Sequence, residues 1–509
     1  MFFTNQTSKA APPAFTGIAL LAIAFGFSLA FTPPLTPAQE PTNLQAATAV
    51  QRVLVDVIAQ NEKSVVAIAR VRKEDPAEAF NIELHPDAFG RRFAPLDNLR
   101  PTDPDFIPNQ YATGVIIDPG GLILTAFHAL GENSEYYVTT SDRKVYRAKV
   151  RAADPRSDLA VLAIEATSLP TIKFGDASRL QKGQIVIALG NPHAIARDGQ
   201  VSAAWGIVAN MARKSPPTDD YDLSGKTTLH HYGTLIQTDA KLNLGTSGGP
   251  LLDLSGRMVG LVTSLPPATG YEQPAGYAIP VDKTFRRVVD TLKQGREVEY
   301  GFLGIQPVNL TMRERADGLS GMRVERIQPG PGTPAYQSGL RPGDIITAVD
   351  GRPVHDADSL VLEVGRLPVE SRVRLSIIRD GQQRPLTIKL GKYPVRGKKI
   401  VTNRPSPWRG IHIDYPTVLV DGGLNDGGLN NRVARTPGYF EDAVLVTEVK
   451  TPSPAWSAGL RPGMSITHVG SKAVHTPREF RSLVAGRPGP IELRLTEEEK
   501  PVRTIQPGS

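Results

Sequence analysis

The sequence predicts a mostly β protein of several domains, whose strands form barrels or sandwiches. Its first half contains short strand-like runs separated by turn signals, a pattern typical of such folds. These runs are Tyr136–Thr140, Tyr146–Val150, Ile185–Leu189, Val201–Val208, Met258–Thr263 and Tyr277–Ile279. In the second half, Ser338–Ile346 is echoed by Ala458–Ile466, which indicates two similar modules. A length of 509 residues suits about three folded units and their tails.

Composition and charge narrow the possible functions. The net charge of +7 is small for this length, and no nucleic-acid-binding motif occurs, so nucleic acid is not an expected partner. The absence of cysteine excludes disulfides, thiol catalysis and cysteine-based zinc sites. Eight histidines show no metal-ligand spacing and are expected to have surface or packing roles: His85, His193, His230, His231, His355, His412, His468 and His475.

Residues 1–38 have the features of an export signal. Lys9 precedes an apolar run over Phe15–Phe31, whose length suits a signal-peptide core better than the roughly 20 residues of a spanning helix. Small residues at Thr36–Ala38 would allow cleavage before Gln39. An uncleaved inner-membrane anchor is the alternative, and in both cases the body of the protein would be periplasmic or otherwise extracytoplasmic.

The first domain is predicted to begin with a helix over Leu44–Ile58, whose apolar residues recur on one face, and a strand over Ser64–Ala69. The polar segment 73–109 that follows is long for a connection, so it is either a functional insertion or disordered. A second helix, Val281–Gln294, carries an apolar stripe and ends the domain.

Two motifs supply a histidine and an aspartate. A hairpin pattern over Gly114–Leu130 ends at His128, and Asp158 stands at the start of the apolar strand Leu159–Ile164. A serine hydroxyl becomes a good nucleophile when a histidine removes its proton and a buried carboxylate fixes the histidine tautomer. These residues are therefore candidates for activating a serine.

The candidate serine is Ser247, in the glycine-rich segment 238–253. Glycines at 245, 248 and 249 allow tight turns that direct successive N–H groups into one cavity, where a carbonyl oxygen could gain negative charge. A simple hairpin turn is the alternative explanation of this glycine pattern.

Together the three motifs resemble the HtrA/DegP-type (Do-like) serine proteases, which are trypsin-fold enzymes with C-terminal PDZ domains. The resemblance implies a chymotrypsin/trypsin-like double β-barrel over 44–296, with the catalytic triad in the cleft between two six-stranded barrels. Two α+β PDZ domains would follow, at 299–393 and 407–509, joined by a basic linker at 394–406.

The resemblance also implies roles for individual residues. His128 would be the general base, Asp158 the orienting carboxylate and Ser247 the nucleophile, and the N–H groups of Gly245 and Ser247 would form the oxyanion hole. The family commonly has Asn directly before the serine, where this chain has Thr246. Because only the backbone of that position faces the chemistry, we expect the change to be tolerated.

Loops near the serine are expected to set specificity and regulation. By the family pattern, Asp239–Leu244 and Ser264–Ala275 flank the S1 pocket, while Arg213–Tyr232 would sense the state of a PDZ module or the substrate. Since Leu242 and Leu265 are apolar, we expect small or medium aliphatic P1 residues.

In the first PDZ module, the segment beginning at Gly301 resembles the loop that binds a peptide carboxylate. The peptide-binding residues would be Phe302, Leu303, Gly304 and Ile305, and the peptide would add a strand beside Ile305. The helix facing this groove is expected to start at Asp358.

The second module is less clear as a peptide-binding domain. Thr476–Glu479 is predicted to form a capping box. The best carboxylate-loop candidate, Trp408–Ile413, departs from the family pattern, and a packing or assembly role is the alternative. The insertion near 415–441 is expected to be a flexible loop, although a calcium loop is conceivable. The basic linker is expected to be solvated, with contact to an anionic surface as the alternative.

Together with these observations, the resemblance implies an exported, ATP-independent serine endopeptidase of protein quality control that cleaves unfolded or damaged proteins. The resemblance implies PDZ-mediated recognition of peptide C-termini and a homo-oligomer, either a trimer or its multiples. The expected chemistry requires no metal and no organic cofactor. The alternative from a different class is a peptide-binding chaperone or scaffold with a latent or inactive protease domain.

Overall fold

The computed structural model describes most of the chain beyond residue 41. The described residues are 42–72, 110–191, 200–214, 228–263, 276–328, 333–395, 399–419, 443–496 and 501–507. The predicted export signal, the segment 73–109 and the loop Ser264–Ala275 lie outside these ranges. The chain divides into a unit of residues 1–51 and a unit of residues 52–509, and Thr42–Gln51 is the described part of the first. No helix among the described residues is both long enough and apolar enough to cross a membrane.

The first six strands form an antiparallel barrel. In sheet order they are β5, β4, β1, β2, β3 and β6, and pairing of β5 with β6 closes the barrel. Their bounds are β1 Val65–Arg72, β2 Gln110–Asp118, β3 Leu122–Ala126, β4 Ser134–Thr139, β5 Val145–Asp154 and β6 Leu159–Ala163. The tight turn between β2 and β3 contains Gly121, whose φ of 93° suits a residue without a side chain.

The next six strands form a second closed barrel, in the order β10, β11, β12, β9, β8 and β7. Their bounds are β7 Ile185–Gly190, β8 Ser202–Arg213, β9 Leu235–Thr238, β10 Pro250–Leu252, β11 Met258–Thr263 and β12 Gly276–Pro280. The double barrel implied by the resemblance is therefore confirmed. Short 3-10 helices complete the domain, at Glu62–Ser64, Phe127–Ala129, Ala177–Arg179 and Leu229–Tyr232.

Two α-helices flank the barrels. Helix α1, Thr42–Asn61, extends beyond the predicted bounds, and its Val57 is buried in the core. Helix α2, Lys283–Lys293, starts at Asp282, whose carboxylate accepts a 2.8 Å hydrogen bond from the N–H of Phe285. Its predicted apolar stripe is buried and packs in the core shared with both barrels.

The first PDZ module is a sheet in the order β14, β15, β16, β18 and β19, with β17 paired to β16 and a separate β13–β20 pair. Its strands are β13 Gly301–Phe302, β14 Ile305–Asn309, β15 Met322–Ile327, β16 Ile345–Val349, β17 Arg352–Pro353, β18 Arg372–Arg379, β19 Gln382–Lys389 and β20 Gly391–Lys392. Its helices are α3 Met312–Ala316, α4 Pro334–Gln337 and α5 Ala357–Gly365.

The second module repeats this arrangement, with a sheet in the order β22, β23, β24, β26 and β27 and with β25 paired to β24. Its strands are β22 Ile411–Asp414, β23 Val444–Val449, β24 Ser465–Val469, β25 Lys472–Ala473, β26 Ile491–Leu495 and β27 Val502–Ile505. Its helices are α6 Pro454–Ser457, α7 Pro477–Val484 and the 3-10 helix Pro416–Leu419. The internal repeat therefore corresponds to a repeated fold.

The predicted capping box of α7 is half formed. The N–H of Glu479 donates to the hydroxyl of Thr476 at 3.1 Å, as predicted. The Glu479 carboxylate, however, accepts from the N–H of His475 at 2.9 Å. The reciprocal bond thus reaches one residue further back than a capping box requires.

The prediction that the linker is solvated was wrong for residues 399–401, whereas residues 402–406 are exposed. Ile400–Val401 forms strand β21, which pairs with Ala152–Ala153 of β5 and extends the first barrel's sheet. The next residue, Thr402, donates its hydroxyl to the carbonyl of Arg151 at 2.6 Å. The basic side chain of Lys399 bonds within the protein, 2.6 Å from Glu297. Pairing satisfies backbone groups that a solvated linker would leave to water.

Candidate active site

The loop between β5 and β6 presents Asp158 to His128. The Nδ1 atom of His128 lies 2.8 Å from Oδ2 and 3.0 Å from Oδ1 of Asp158. Because a carboxylate only accepts, Nδ1 carries the proton and donates it, which leaves Nε2 as a base. The N–H of His128 also donates to Oδ1 at 3.0 Å, and the N–H of Phe127 donates to the Asp158 carbonyl at 2.9 Å. The two residues are thus held together through both side chain and backbone.

The segment containing Ser247 is anchored to the barrel that carries His128. The N–H of Thr113, on β2, donates to the carbonyl of Ser247 at 2.9 Å. The Thr113 hydroxyl donates to the carbonyl of Gly245 at 2.7 Å. On the other side, the N–H of Gly248 donates to the carbonyl of Val262 in the second barrel at 2.8 Å. The predicted nucleophile therefore lies where strands of both barrels meet.

The glycines beside Ser247 are required by space as well as by backbone angle. Gly245 has a φ of 94°, and a Cβ there would come within 2.5 Å of the Asn191 carbonyl and 2.7 Å of the Tyr111 ring. Gly248 has a φ of 88°, and a Cβ there would lie 2.0 Å from the Thr113 carbonyl. The alternative of an ordinary hairpin turn does not explain such close packing. Thr246 directs its hydroxyl to the carbonyl of Asn243 at 2.7 Å.

Each member of the His–Asp pair shifts the other's pKa. The Asp158 carboxylate raises the pKa of His128 above its ordinary value, and this attraction outweighs burial, which would lower it. Burial alone would raise the pKa of Asp158, but the charge and hydrogen bond of His128 outweigh it, so the pKa is lowered. Asp158 therefore stays ionised and stabilises a protonated His128.

Two residues that support Asp158 were not identified from the sequence. Thr263 donates its hydroxyl to Oδ2 of Asp158 at 3.2 Å. His230, expected to have a surface or packing role, is buried, and its Nε2 lies 2.9 Å from the carbonyl of Ser157. Because a carbonyl only accepts, Nε2 is the donor, and burial lowers the pKa of this histidine so that it stays neutral. Neither residue has a spacing that would signal this role.

The described side of the predicted S1 pocket contains one carboxylate, that of Asp239, and one of its oxygens is engaged by the backbone. Oδ1 of Asp239 accepts from the N–H of Ile207 at 2.6 Å. Leu242 packs beside Gly276, where a Cβ would lie 2.8 Å from its Cδ1 atom. The opposite side, Ser264–Ala275, lies outside the described residues. The resulting local chemistry is apolar.

The candidate carboxylate loop of the first PDZ module lies at the start of the edge strand β14. Phe302 and Leu303 are buried, and Gly304 has a φ of 80°. Ile305 begins β14, and α5 lies beside that strand. The residues predicted to bind a peptide are thus brought to one end of a groove between an edge strand and a helix, as strand addition requires.

The corresponding loop of the second module is closed on itself. Trp408 and Ile411 exchange backbone hydrogen bonds at 3.0 and 2.9 Å. Arg409 and Gly410 between them have φ angles of 47° and 96°. The N–H of Ile411 is therefore already engaged within a tight turn.

Part of the predicted sensor loop contacts the helix of the first PDZ groove. Lys214 lies 2.7 Å from Asp358 and 3.6 Å from Asp356, at the start of α5. Residues 215–227 of the loop lie outside the described residues. The described end of the loop thus connects the second barrel with the groove helix.

Comparisons with known proteins follow the same division of the chain. Residues 112–261 match the family model for a trypsin-like peptidase domain, and residues 301–390 match that for a PDZ domain. Two relatives are called probable periplasmic serine endoprotease DegP-like. The protein from Chlamydia trachomatis serovar D is 30% identical over 443 residues, covering 85% of this chain and 80% of the relative. The protein from Pseudomonas fluorescens is 30% identical over 461 residues, covering 87% of this chain and 91% of that relative.

Among solved structures, one described as HtrA-type protease AlgW with tripeptide is similar in fold. It has a TM-score of 0.50 and 24% sequence identity, and the match covers 69% of this chain and 98% of that chain.

Proposed function

Because this chain belongs to the HtrA/DegP-type family of trypsin-fold serine endoproteases, we propose that it cleaves unfolded or damaged proteins outside the cytoplasm. The observation that carries this proposal is the bidentate contact of His128 with the buried carboxylate of Asp158. The segment of Ser247 reaches this pair through Gly248, which bonds Val262, the neighbour of Thr263 that donates to Asp158. A latent scaffold would not need this pair assembled. The relatives are called periplasmic, and we propose the same compartment for this chain.

The proposed mechanism uses residues of this chain alone. Ser247 attacks the scissile carbonyl carbon while Nε2 of His128 takes the hydroxyl proton. Asp158 stabilises the imidazolium through Nδ1–H, and the N–H groups of Gly245 and Ser247 bind the oxyanion. The C–N bond then breaks, and His128 gives its proton to the leaving amine. Water, activated by the same histidine, hydrolyses the acyl-enzyme and restores Ser247.

The remaining expectations form part of the proposal. The first PDZ module binds peptide C-termini with Phe302, Leu303, Gly304 and Ile305, and the protein assembles as a homo-oligomer of trimers or their multiples. We propose the domain boundaries 44–296, 299–393, 394–406 and 407–509 given above. Residues 1–38 would direct export, and if uncleaved they would hold the chain at the inner membrane.

The test is proteolysis of an unfolded, disulfide-free protein by the purified chain. Cleavage should be abolished in Ser247→Ala and retained in Ser255→Ala, because Ser255 is exposed and lies in the turn between β10 and β11. Cleavage that persists in Ser247→Ala would contradict the assignment of the nucleophile. If the wild type suppresses aggregation of the substrate without cleaving it, the protein is a chaperone rather than a protease.

A further inference from the structure

Arg156, two residues before Asp158, is an unusual buried cation. It is 1% exposed and is among the largest fully buried side chains. Among the described residues, none of its three guanidinium nitrogens has a hydrogen-bond partner. A charge that is buried without a partner is costly, and a buried aliphatic side chain of similar size would be more favourable. The proposed peptide chemistry does not use this residue, so its retention needs another explanation.

The guanidinium group instead lies against aromatic rings at the junction with the first PDZ module. Its Cζ atom is 3.5 Å from the ring centroid of Tyr393 and 5.5 Å from that of Tyr300. Such contacts are strongest where water is excluded. The nearby Asp154 carboxylate does not bond Arg156 and accepts hydrogen bonds from Ser157 and Tyr300. Arg156 therefore lies between these rings and α5, where a Cβ on Gly365 would be 3.0 Å from a terminal guanidinium nitrogen.

Tyr393 in turn contacts the candidate carboxylate loop. Its ring is 6.0 Å from that of Phe302 between centroids, at an interplanar angle of 70°, which is an edge-to-face pair. The N–H of Tyr393 donates to the carbonyl of Tyr300 at 2.8 Å, which ties the two ends of the module together. A continuous series of contacts thus runs from Phe302 through Tyr393 to Arg156.

The loop that carries Arg156 is tightly restrained. The N–H of Ser157 donates to Asp154 Oδ2 at 2.9 Å, and the N–H of Leu229 donates to the Arg156 carbonyl at 2.8 Å. Asp158 has a φ of 54°, in the left-handed region. These bonds hold the backbone between Arg156 and Asp158 in one arrangement. Catalysis by a triad is sensitive to small displacements of its members.

We propose that Arg156 is a positioning residue that couples the carboxylate loop of the first PDZ module to Asp158. A peptide C-terminus bound at Phe302 shifts the ring of Tyr393, and the stacked guanidinium carries that shift to the loop that orients Asp158 and hence His128. This inference rests on the proposed protease function and adds a specific route for its regulation. It is separate from the contact of Lys214 with the groove helix.

The first measurement is the ratio of proteolytic turnover with and without a saturating peptide that ends in a hydrophobic residue with a free carboxylate. The same peptide with an amidated C-terminus is the ligand control, and fluorescence anisotropy gives the affinity of each variant. The wild type should respond to the free carboxylate. In Arg156→Met and Tyr393→Leu the ratio should fall to within about twofold of one, while peptide affinity changes by less than about threefold.

Two further variants separate coupling from general damage. Tyr393→Phe keeps the ring face and should keep the response. Arg461→Met removes a similar stack in the second module, where the guanidinium lies 3.6 Å from the Trp456 centroid, and should also keep it. A normal response in Arg156→Met and Tyr393→Leu, or a wild type that binds the peptide without any change in turnover, would overturn the inference.

A readout independent of turnover distinguishes failure of this inference from failure of the proposed function. In a Ser247→Ala background, amide hydrogen exchange at Ser157 and Asp158 should change on peptide binding, and Tyr393→Leu should remove that change. If exchange is unaffected by bound peptide, the coupling is overturned even if the wild type is an active protease. If exchange responds but the wild type never cleaves, the coupling stands and the protease proposal fails.

Discussion

The ammonium group of Lys392 lies 2.8 Å from Oδ2 of Asp414 and so joins the last strand of the first PDZ module to the edge strand of the second. Lys392 is 3% exposed and also lies 3.1 Å from Glu297 and 3.4 Å from Glu299, between the protease domain and the first module. The three carboxylates raise the pKa of Lys392 against the effect of burial. One buried cation thus holds acidic groups from two parts of the chain, residues 297–299 and Asp414.

Replacing this cation should loosen the second module. Lys392→Met leaves Glu297, Glu299 and Asp414 facing one another, so we expect a loss of about 2 kcal/mol in stability, less than for fully buried partners. Chemical unfolding and limited proteolysis of the linker measure the effect. Lys144→Met is the control, because its ion pair with Asp142 is exposed, and its unfolding should match the wild type. Equal unfolding of both variants would contradict the role of Lys392.

Gly245 should not tolerate a side chain. In Gly245→Ala the new Cβ would collide with the Asn191 carbonyl and the Tyr111 ring, which displaces the proposed oxyanion-hole N–H. We expect turnover to fall by about a hundredfold or more. Gly183→Ala is a matched control, since Gly183 has a similar φ of 88° with nothing within 4 Å of a Cβ. If Gly245→Ala is as active as Gly183→Ala, the collision at Gly245 does not displace the oxyanion-hole N–H and the prediction is wrong.

Asp158 is expected to contribute most of the histidine's activation. Asp158→Asn offers an amide that can stabilise the wrong tautomer of His128, so turnover should fall by about 10⁴-fold while the fold is retained. Turnover measured with a fluorogenic peptide, together with circular dichroism, tests this. Asp176→Asn, at an exposed 3-10 helix start, should have wild-type turnover. Full activity of Asp158→Asn would assign the orienting role to a different carboxylate.

The pH dependence of kcat/KM should report His128. A general base must be neutral, and Asp158 raises the pKa of His128, so activity should rise with pH through a midpoint above the ordinary histidine value of about 6.5. Rates between pH 5 and 9 on a peptide substrate would give this midpoint. Unfolding experiments over the same pH range serve as the control and should show that the protein stays folded at each pH. A midpoint at or below the ordinary value would mean that the His128–Asp158 contact is not kept in solution.

The enzyme should cleave peptide bonds that come directly after a small or medium aliphatic residue at P1. Leu242 lines the described side of the predicted S1 pocket, and Asp239 is engaged by the N–H of Ile207. A P1-randomised peptide library, analysed by mass spectrometry, measures the preference. Cleavage mainly after Lys or Arg would contradict this prediction and point to an acidic group in the pocket.

Local patterns in the sequence were sufficient to predict much of the fold. The strand over Met258–Thr263 has its predicted bounds, and the apolar stripe of α2 is buried as expected. The strand is a short apolar run and the stripe has the helical period, and both patterns are visible among neighbouring residues. The repeat at 338–346 and 458–466 likewise predicted two modules, because similar sequences adopt similar folds. The motifs of His128, Asp158 and Ser247 could be recognised in the sequence because glycine and apolar residues surround each of them.

Other features depend on contacts between segments that are distant in the sequence. Thr263 supports Asp158 from 105 residues away, and the hydroxyl of Thr402 reaches the carbonyl of Arg151 across 251 residues. Strand β21 has two residues, which is too short for an alternating pattern. The solvated-linker prediction failed for this reason, since composition alone carries no record of a distant pairing partner.

Local spacing and composition in the sequence thus determined the strand-rich fold class, the repeated modules and the three motifs, while the double barrel and the catalytic roles were implied by the family resemblance that those motifs carry. The tertiary structure decided that the linker joins the first barrel, that Lys392 is buried among carboxylates, and that Arg156 stacks on Tyr393. A basic side chain looks the same in a sequence whether it is solvated or buried. Whether such a side chain is solvated or buried depends on the aromatic ring or carboxylate beside it, and only the fold places that partner.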